Sequence, residues 1–267
     1  MGGPLLAAAF SFFEYPREVD MAQYVMLNNV AHKDLRVITR YGKEFGDDVA
    51  TAVVVPTEFA DVQREYPIFF RKDPNTGAYS ALALMGLQQD ENLYLGPKGW
   101  EADYVPGVVA RGPFFIGHQR REVNGKLQNE PVVHVDLDSP RVNKAEGEAV
   151  FTAQGTNTRY LDNIASLLNA INLGLEVSKP MFEAFTAADL IEPVQLEVKV
   201  NSEEQFNLTG LFTISRDKLA NLDADTVFKL HRAGFLQAAF LVISSMANVQ
   251  RLIDLKTRRR HQAAMAS

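Results

Sequence analysis

Tyr66-Pro67-Ile68-Phe69-Phe70-Arg71-Lys72-Asp73-Pro74-Asn75-Thr76-Gly77, followed by Ala78 to Leu84, is the stretch on which the fold reading turns. Two apolar runs flank Asp73-Pro74-Asn75-Thr76-Gly77. Pro74 presets φ for a type I turn, and Gly77 supplies the left-handed position from which the strand ladder resumes. The pattern predicts a β-hairpin with Gly77 at positive φ. Upstream, Val53-Val54-Val55 is a β-branched run that stops at Pro56. Downstream, a second hairpin is expected from Val105, Val108 and Val109 towards Phe114-Phe115-Ile116, punctuated by Pro106, Gly107, Gly112 and Pro113. A third strand, Val132 to Leu137, follows the polar turn at Asn124-Gly125.

The period then changes. Leu161, Ile164, Leu168, Ile171 and Leu175 recur at three- and four-residue steps, the stripe of an amphipathic helix. A second short helix around Met181 to Phe185 starts just after Pro180, which suits a first-turn position. Val194, Leu196, Val198 and Val200 alternate with Gln195, Glu197 and Lys199, so one strand face is buried and the other wet. The turn Asn201 to Gln205 leads to a partner strand, Phe206 to Ile214. Phe228 to Leu255 reads as helix broken near Gly234, ending in the basic tail Lys256 to His261. The expected class is α+β: a β-rich N-terminal half of hairpins packed with the helices of the C-terminal half.

Composition sets the outer limits. The chain has 267 residues, 46% hydrophobic and 22% charged, close to globular averages. Lys plus Arg is 27 and Asp plus Glu is 33, so 27 − 33 gives a net charge of −6, which argues against nucleic acid as a partner. With no Cys, disulfides, thiolate metal sites and a Cys nucleophile are excluded together. No elbow for a nucleophilic Ser, phosphate loop, dinucleotide fingerprint or His-Glu-x-x-His is present. Met1 to Phe13 is apolar, but no Lys or Arg precedes it and no small-residue cleavage site follows it, so it does not read as a secretory signal. Phe235 to Ile243, interrupted by Gln237 and followed by Ser244 and Ser245, reads as a buried core helix and not as a transmembrane segment. The expected location is cytoplasmic, with the cell surface as the alternative.

The strings then point to a family. Tyr66 to Pro74, Ala83-Leu84-Met85-Gly86-Leu87, Glu91-Asn92-Leu93-Tyr94-Leu95, Trp100 and Tyr104-Val105-Pro106 stand in one order. Arg111, Pro113-Phe114, Asp136-Leu137-Asp138-Ser139-Pro140, Glu146-Gly147-Glu148, Gly210 to Ile214 and Leu230-His231-Arg232-Ala233-Gly234 follow. In this the chain resembles the bacterial SapC family, from about Met21 onward. The family takes its name from a surface-layer locus, and its genes tend to lie near TonB-dependent receptors and flavoproteins that look like tryptophan halogenases. The resemblance implies a context and supplies no catalytic residue set. It also implies that the domain opens near Tyr24-Val25-Met26-Leu27-Asn28, so 21–267 reads as one SapC-like domain and 1–20 as an N-terminal extension outside it.

Candidate chemistry starts at His134-Val135-Asp136. His and Asp two apart on a strand share a face, which is how the facial triad of non-haem iron oxygenases begins, and His231 is the available second His. The competing reading makes Asp136 and Asp138 solvated turn carboxylates ahead of Pro140. Asp136, Asp138, Glu146 and Glu148 could offer oxygen ligands, but their spacing does not match a calcium loop. His231, followed by Arg232 and Gly234, also fits the end of a helix, where cations complement the dipole and Gly takes a left-handed cap. Phe69-Phe70 and Phe114-Phe115 are adjacent pairs on strands. One of each pair is either an outward binding patch or covered by the helices. The first expectation is a non-catalytic binding or accessory protein for a surface-layer or outer-membrane uptake system, with a protein or peptide partner and no cofactor. Homo-oligomerisation stays open. A metal-dependent enzyme using His134, Asp136 and His231 is the second reading, and a structural surface-layer protein the third.

Overall fold

The computed structural model describes residues 24–123, 126–200 and 205–266. The expected extension at 1–20, the Asn124-Gly125 turn and most of the Asn201 to Gln205 turn lie outside the described residues. In chain order come β1 (Tyr24–Met26), β2 (Arg36–Val37), β3 (Thr51–Val54), α1 (Phe59–Val62), β4 (Ile68–Lys72), β5 (Tyr79–Leu84), β6 (Leu95–Gly96) and β7 (Gly99–Trp100). Then follow α2 (Gly107–Ala110), β8 (Phe114–Val123), β9 (Lys126–Asp136), β10 (Val142–Asn143), β11 (Glu148–Ala149) and α3 (Arg159–Ala187). The chain continues with β12 (Ile191–Lys199), β13 (Gln205–Ile214), α4 (Arg216–Ala220), α5 (Ala224–Arg232), α6 (Phe235–Ser245) and α7 (Asn248–Ala266). The fold is α+β, with most strands in the N-terminal half and the helices gathered in the C-terminal half.

The hairpin at Tyr66 to Leu84 forms as the turn chemistry requires. Gly77 sits at φ +72°, and the Asp73 carboxylate accepts the backbone N–H groups of Asn75 at 2.8 Å and Thr76 at 2.7 Å. A side chain that satisfies two turn donors this way makes the loop self-supporting. β4 and β5 lie inside an antiparallel sheet of order β12-β13-β4-β5-β3. β13 joins β4 through Leu211 opposite Arg71 and Phe212 opposite Phe70, so one sheet draws on both halves of the chain. Both faces of β4 are covered. Phe69 and Phe70 are equally buried, and Phe70 meets Phe182 edge-on at 5.0 Å and Phe185 at 6.3 Å from α3. No outward patch exists at this pair; burying each ring contributes about 1.5–3 kcal/mol.

Three expectations need correcting. Val105 to Val109 do not extend into a hairpin strand. Pro106 precedes a single helical turn, α2, whose first N–H is taken by the Glu58 carboxylate at 2.9 Å. Pro180 starts no new helix; it lies within the continuous α3. The stripe on α3 also drifts. Leu161, Ile164 and Leu168 are buried, whereas Leu175 is 45% exposed and Gly174 takes the inward position beside Val55 and Thr57. The helix leaves one core and enters another at that point, because its early buried residues belong to a cluster with Leu35, Val37, Phe114 and Val135. Its later ones, Met181, Phe182 and Phe185, pack against the large sheet.

Gly234, at φ +76°, separates α5 from α6 where the sequence placed the break. The stretch Phe235–Met265 is the one helical run among the described residues long and apolar enough to cross a membrane by length and composition. It is interrupted between α6 and α7, and its Ala238, Ala239, Val242 and Leu252 sit in the main core. Ser245 adds a polar tie, accepting the Ile68 N–H at 2.8 Å.

Candidate functional site

Strand β9 carries His134 and Asp136 opposite Met26 and Tyr24 of β1, so the two share a face as their spacing requires. Their uses differ. The Asp136 carboxylate accepts the Asp138 N–H at 3.0 Å, and the Asp136 N–H donates to the Pro113 carbonyl at 2.9 Å. Asp136 therefore braces the turn that ends β9, while Asp138 is exposed in it. His134 lies over Gly117 of β8, and a Cβ at that position would collide with its ring. The missing side chain is what lets the imidazole lie flat there. Its Nδ1 is enclosed, with no hydrogen-bond partner among the described residues. His231 is exposed in the last turn of α5, where its carbonyl accepts the Gly234 N–H at 3.0 Å. Among the described residues no three His, Asp or Glu side chains group closely enough to hold a metal ion. The proposed set of His134, Asp136 and His231 is thus not assembled: the first two belong to the β1-β9-β8 sheet, the third to a helix end of the large core. Of the other two carboxylates considered as oxygen ligands, Glu146 pairs with Arg40 at 2.8 Å and Glu148 is exposed on β11.

The buried ionisable groups lie elsewhere, and sequence reasoning did not single them out. Glu58 receives the Val55 N–H at 2.9 Å, the Gly107 N–H at 2.9 Å and the Tyr104 hydroxyl at 2.6 Å. Glu65 receives the Tyr104 N–H at 2.9 Å and the Arg251 guanidinium at 3.1 Å. The Tyr66 hydroxyl donates to the Tyr104 carbonyl at 2.5 Å and accepts from the Trp100 indole at 2.9 Å. Tyr94 donates to the Glu65 carbonyl at 2.6 Å. Burial, before any other cause, pushes the Tyr66, Tyr94 and Tyr104 phenols far above their ordinary value. None of them can serve as a proton donor that ionises near neutral pH. Each carboxylate oxygen in this network is occupied: one from Glu58 and one from Glu65 hold the segment from Tyr104 to Gly107, while the others take the Val55 N–H and the Arg251 guanidinium.

Two buried ion pairs extend the frame. Arg141 places one nitrogen 2.7 Å and 2.5 Å from the two Asp47 oxygens and another 3.0 Å and 2.7 Å from the carbonyls of Ile38 and Arg40. Lys256 meets Glu91 at 2.5 Å, and the second Glu91 oxygen accepts the Leu87 N–H at 3.0 Å. Arg259 donates to the Leu95 carbonyl at 2.6 Å, so the basic tail is partly spent on fixing α7. Several resemblance-bearing residues, Tyr66, Glu91, Tyr94, Trp100 and Tyr104, are thus framework groups.

What the surface offers is a groove of about 690 Å³ between α4 and α6, lined by Leu219, Phe240, Ile243 and Met246 together with Arg216. A smaller depression shares Arg216, Ile243 and Met246 and reaches Glu192 and Thr213 on the large sheet. Phe240 is 54% exposed, unusual for an aromatic ring on a core helix. The sequence signal was misleading there, because Phe240 sits inside an apolar run that reads as wholly buried.

No curated protein and no solved structure matches this chain. The SapC family model matches residues 27–252, which span the framework network, the turn at Asp136 and the groove, and the chain belongs to the SapC family.

Proposed function

We propose that this SapC-family protein is a non-catalytic binding or accessory protein, acting in the cytoplasm for a surface-layer or outer-membrane, TonB-dependent uptake system through a protein or peptide partner. The observation that carries the reading is the groove beside α6, apolar and open, with Phe240 presented at 54% exposure. Exposed aromatic rings in a concave apolar setting are the usual anchors of protein recognition. The buried carboxylates support the same reading, since their oxygens are occupied by backbone and side-chain donors.

The test is a crosslinked capture from the native organism with the wild type and Phe240→Glu side by side. Proteins of the surface layer or of outer-membrane uptake should be retained by the wild type and lost from the variant, whose fold is checked by its melting temperature. Equal capture by both proteins would sink the groove as the docking site. Cell fractionation adds the location: recovery in the assembled surface layer would favour the structural reading instead. Stoichiometric transition metal in protein purified without chelators, lost on Asp136→Ala at unchanged melting temperature, would favour the enzyme.

A further inference from the structure

A second concavity, of about 260 Å³, lies at the small sheet formed by β10, β2 and β11 and shares no lining residue with the groove. Its charged lining residues are Lys33, Arg36, Lys144 and Asp34, so three cations against one anion leave a net charge of +2, on a chain whose net charge is −6. Leu35 and Phe151, buried to 6% and 8% exposure, supply apolar wall. Arg36 is fixed in place by two bonds to the Gly147 carbonyl, at 3.0 and 2.6 Å. Neither Lys33 nor Lys144 makes an ion pair or hydrogen bond among the described residues, which is unlike Arg40, Arg141, Lys256 and Arg251, all engaged with carboxylates.

The walls include turns that hydrogen-bond to themselves. Asn28 accepts the N–H groups of Val30 and Ala31 at 3.2 and 2.8 Å, and the His32 ring accepts the Asn28 N–H at 3.1 Å. Asn143 accepts those of Ala145 and Glu146 at 2.8 and 2.6 Å. The turn from Thr152 to Thr156 closes through its backbone at 2.8 Å, and Asn29 ties the first turn to it through the Gly155 carbonyl at 2.7 Å. Two of these turns fix the backbone that carries the exposed Lys33 and Lys144, and the third supplies Thr152 and Ala153 of the lining, which lowers the backbone ordering cost of binding.

We propose that this pocket binds a small organic anion, its carboxylate or phosphate head between Lys33 and Lys144 and a short apolar body against Leu35 and Phe151. Unpaired ammonium groups supply attraction without having to break an internal pair, and the apolar wall selects against a bare inorganic ion. The site stands apart from the partner reading and rests on different residues.

Calorimetric titration of the full chain at low ionic strength tests it with benzoate, neutral benzamide and inorganic phosphate as probes. Benzoate should bind more tightly than either of the others, and its affinity should fall as salt is added. Lys33→Gln and Lys144→Gln should each weaken benzoate about two- to five-fold, the scale of one exposed charge contact, and more in combination. Lys98→Gln, the same charge change at an exposed position outside the pocket, should leave it unchanged. No measurable benzoate binding, or benzamide or phosphate binding as tightly as benzoate, overturns the assignment. So does wild-type affinity in the folded double variant. Phe240→Glu should bind benzoate normally even if it loses its protein partner, so the two proposals fail separately.

Discussion

The region around the large sheet and the region around β2, β9 and α3 solve the same problem with opposite economies. In the first, Tyr66, Phe69, Phe70 and Tyr94 are buried and Glu58 and Glu65 sit among them with their oxygens occupied. In the second, the apolar cluster is smaller and is flanked by turns that close upon their own side chains, such as those at Asn28, Asn143 and Thr152. The difference teaches where recognition can occur. A buried carboxylate already holding three donors has little left for a ligand, whereas turns that satisfy their own backbone leave Lys33 and Lys144 uncommitted among the described residues.

The largest blow to this contrast should come from Arg141, the pair that ties the β2 region to the loop before β3. Arg141→Ala leaves Asp47 buried and unpaired, and a loss of about 3–5 kcal/mol is expected in denaturant unfolding. Removing both charges, as Arg141→Met with Asp47→Leu, should recover much of it. A loss below about 1 kcal/mol in the single variant would show that water reaches Asp47 and that the region is looser than described.

Alkali should act on the large-sheet network next. An unfolded phenol loses its proton near pH 10, and the folded Tyr66, Tyr94 and Tyr104 only higher, because burial disfavours the phenolate. Stability is therefore intact below pH 10 and falls as pH rises above it, by at most about 1.4 kcal/mol per phenol per pH unit. Trp100, the chain's only tryptophan, donates to Tyr66 and gives a fluorescence readout of that network. A melting temperature flat from pH 9 to 11 would contradict the burial argument.

Gly77→Val tests the hairpin turn. Its φ of +72° costs a β-branched residue about 1–2 kcal/mol, with nothing closer than the end of Lys72 to add a clash. Asp136→Ala is the mildest, expected near 1 kcal/mol for the loss of one side-chain bond to the Asp138 N–H. An unchanged melting temperature would remove its bracing role.

Local patterning carried a good part of the architecture. Gly77 and Gly234 could be read as left-handed positions because turn and cap chemistry is written within a few residues. The alternation from Val194 to Val200 gave a strand in the same way. The reading failed where a partner distant in sequence decided the outcome. Val105 to Val109 became one helical turn because Glu58 takes the Gly107 N–H, and Pro180 stayed inside α3 because that helix is packed against two cores in succession.

The candidate site divides along the same line. By itself the sequence determined the SapC resemblance, the α+β class and the shared face of His134 and Asp136, all properties of order or of a two-residue period. Only the tertiary structure decided that Asp136 is spent on its own turn, that His134 covers Gly117, and that Lys33 and Lys144 meet around one hollow across more than a hundred residues of chain. Bond saturation and charge convergence depend on which distant groups become neighbours, and no spacing along the chain encodes that.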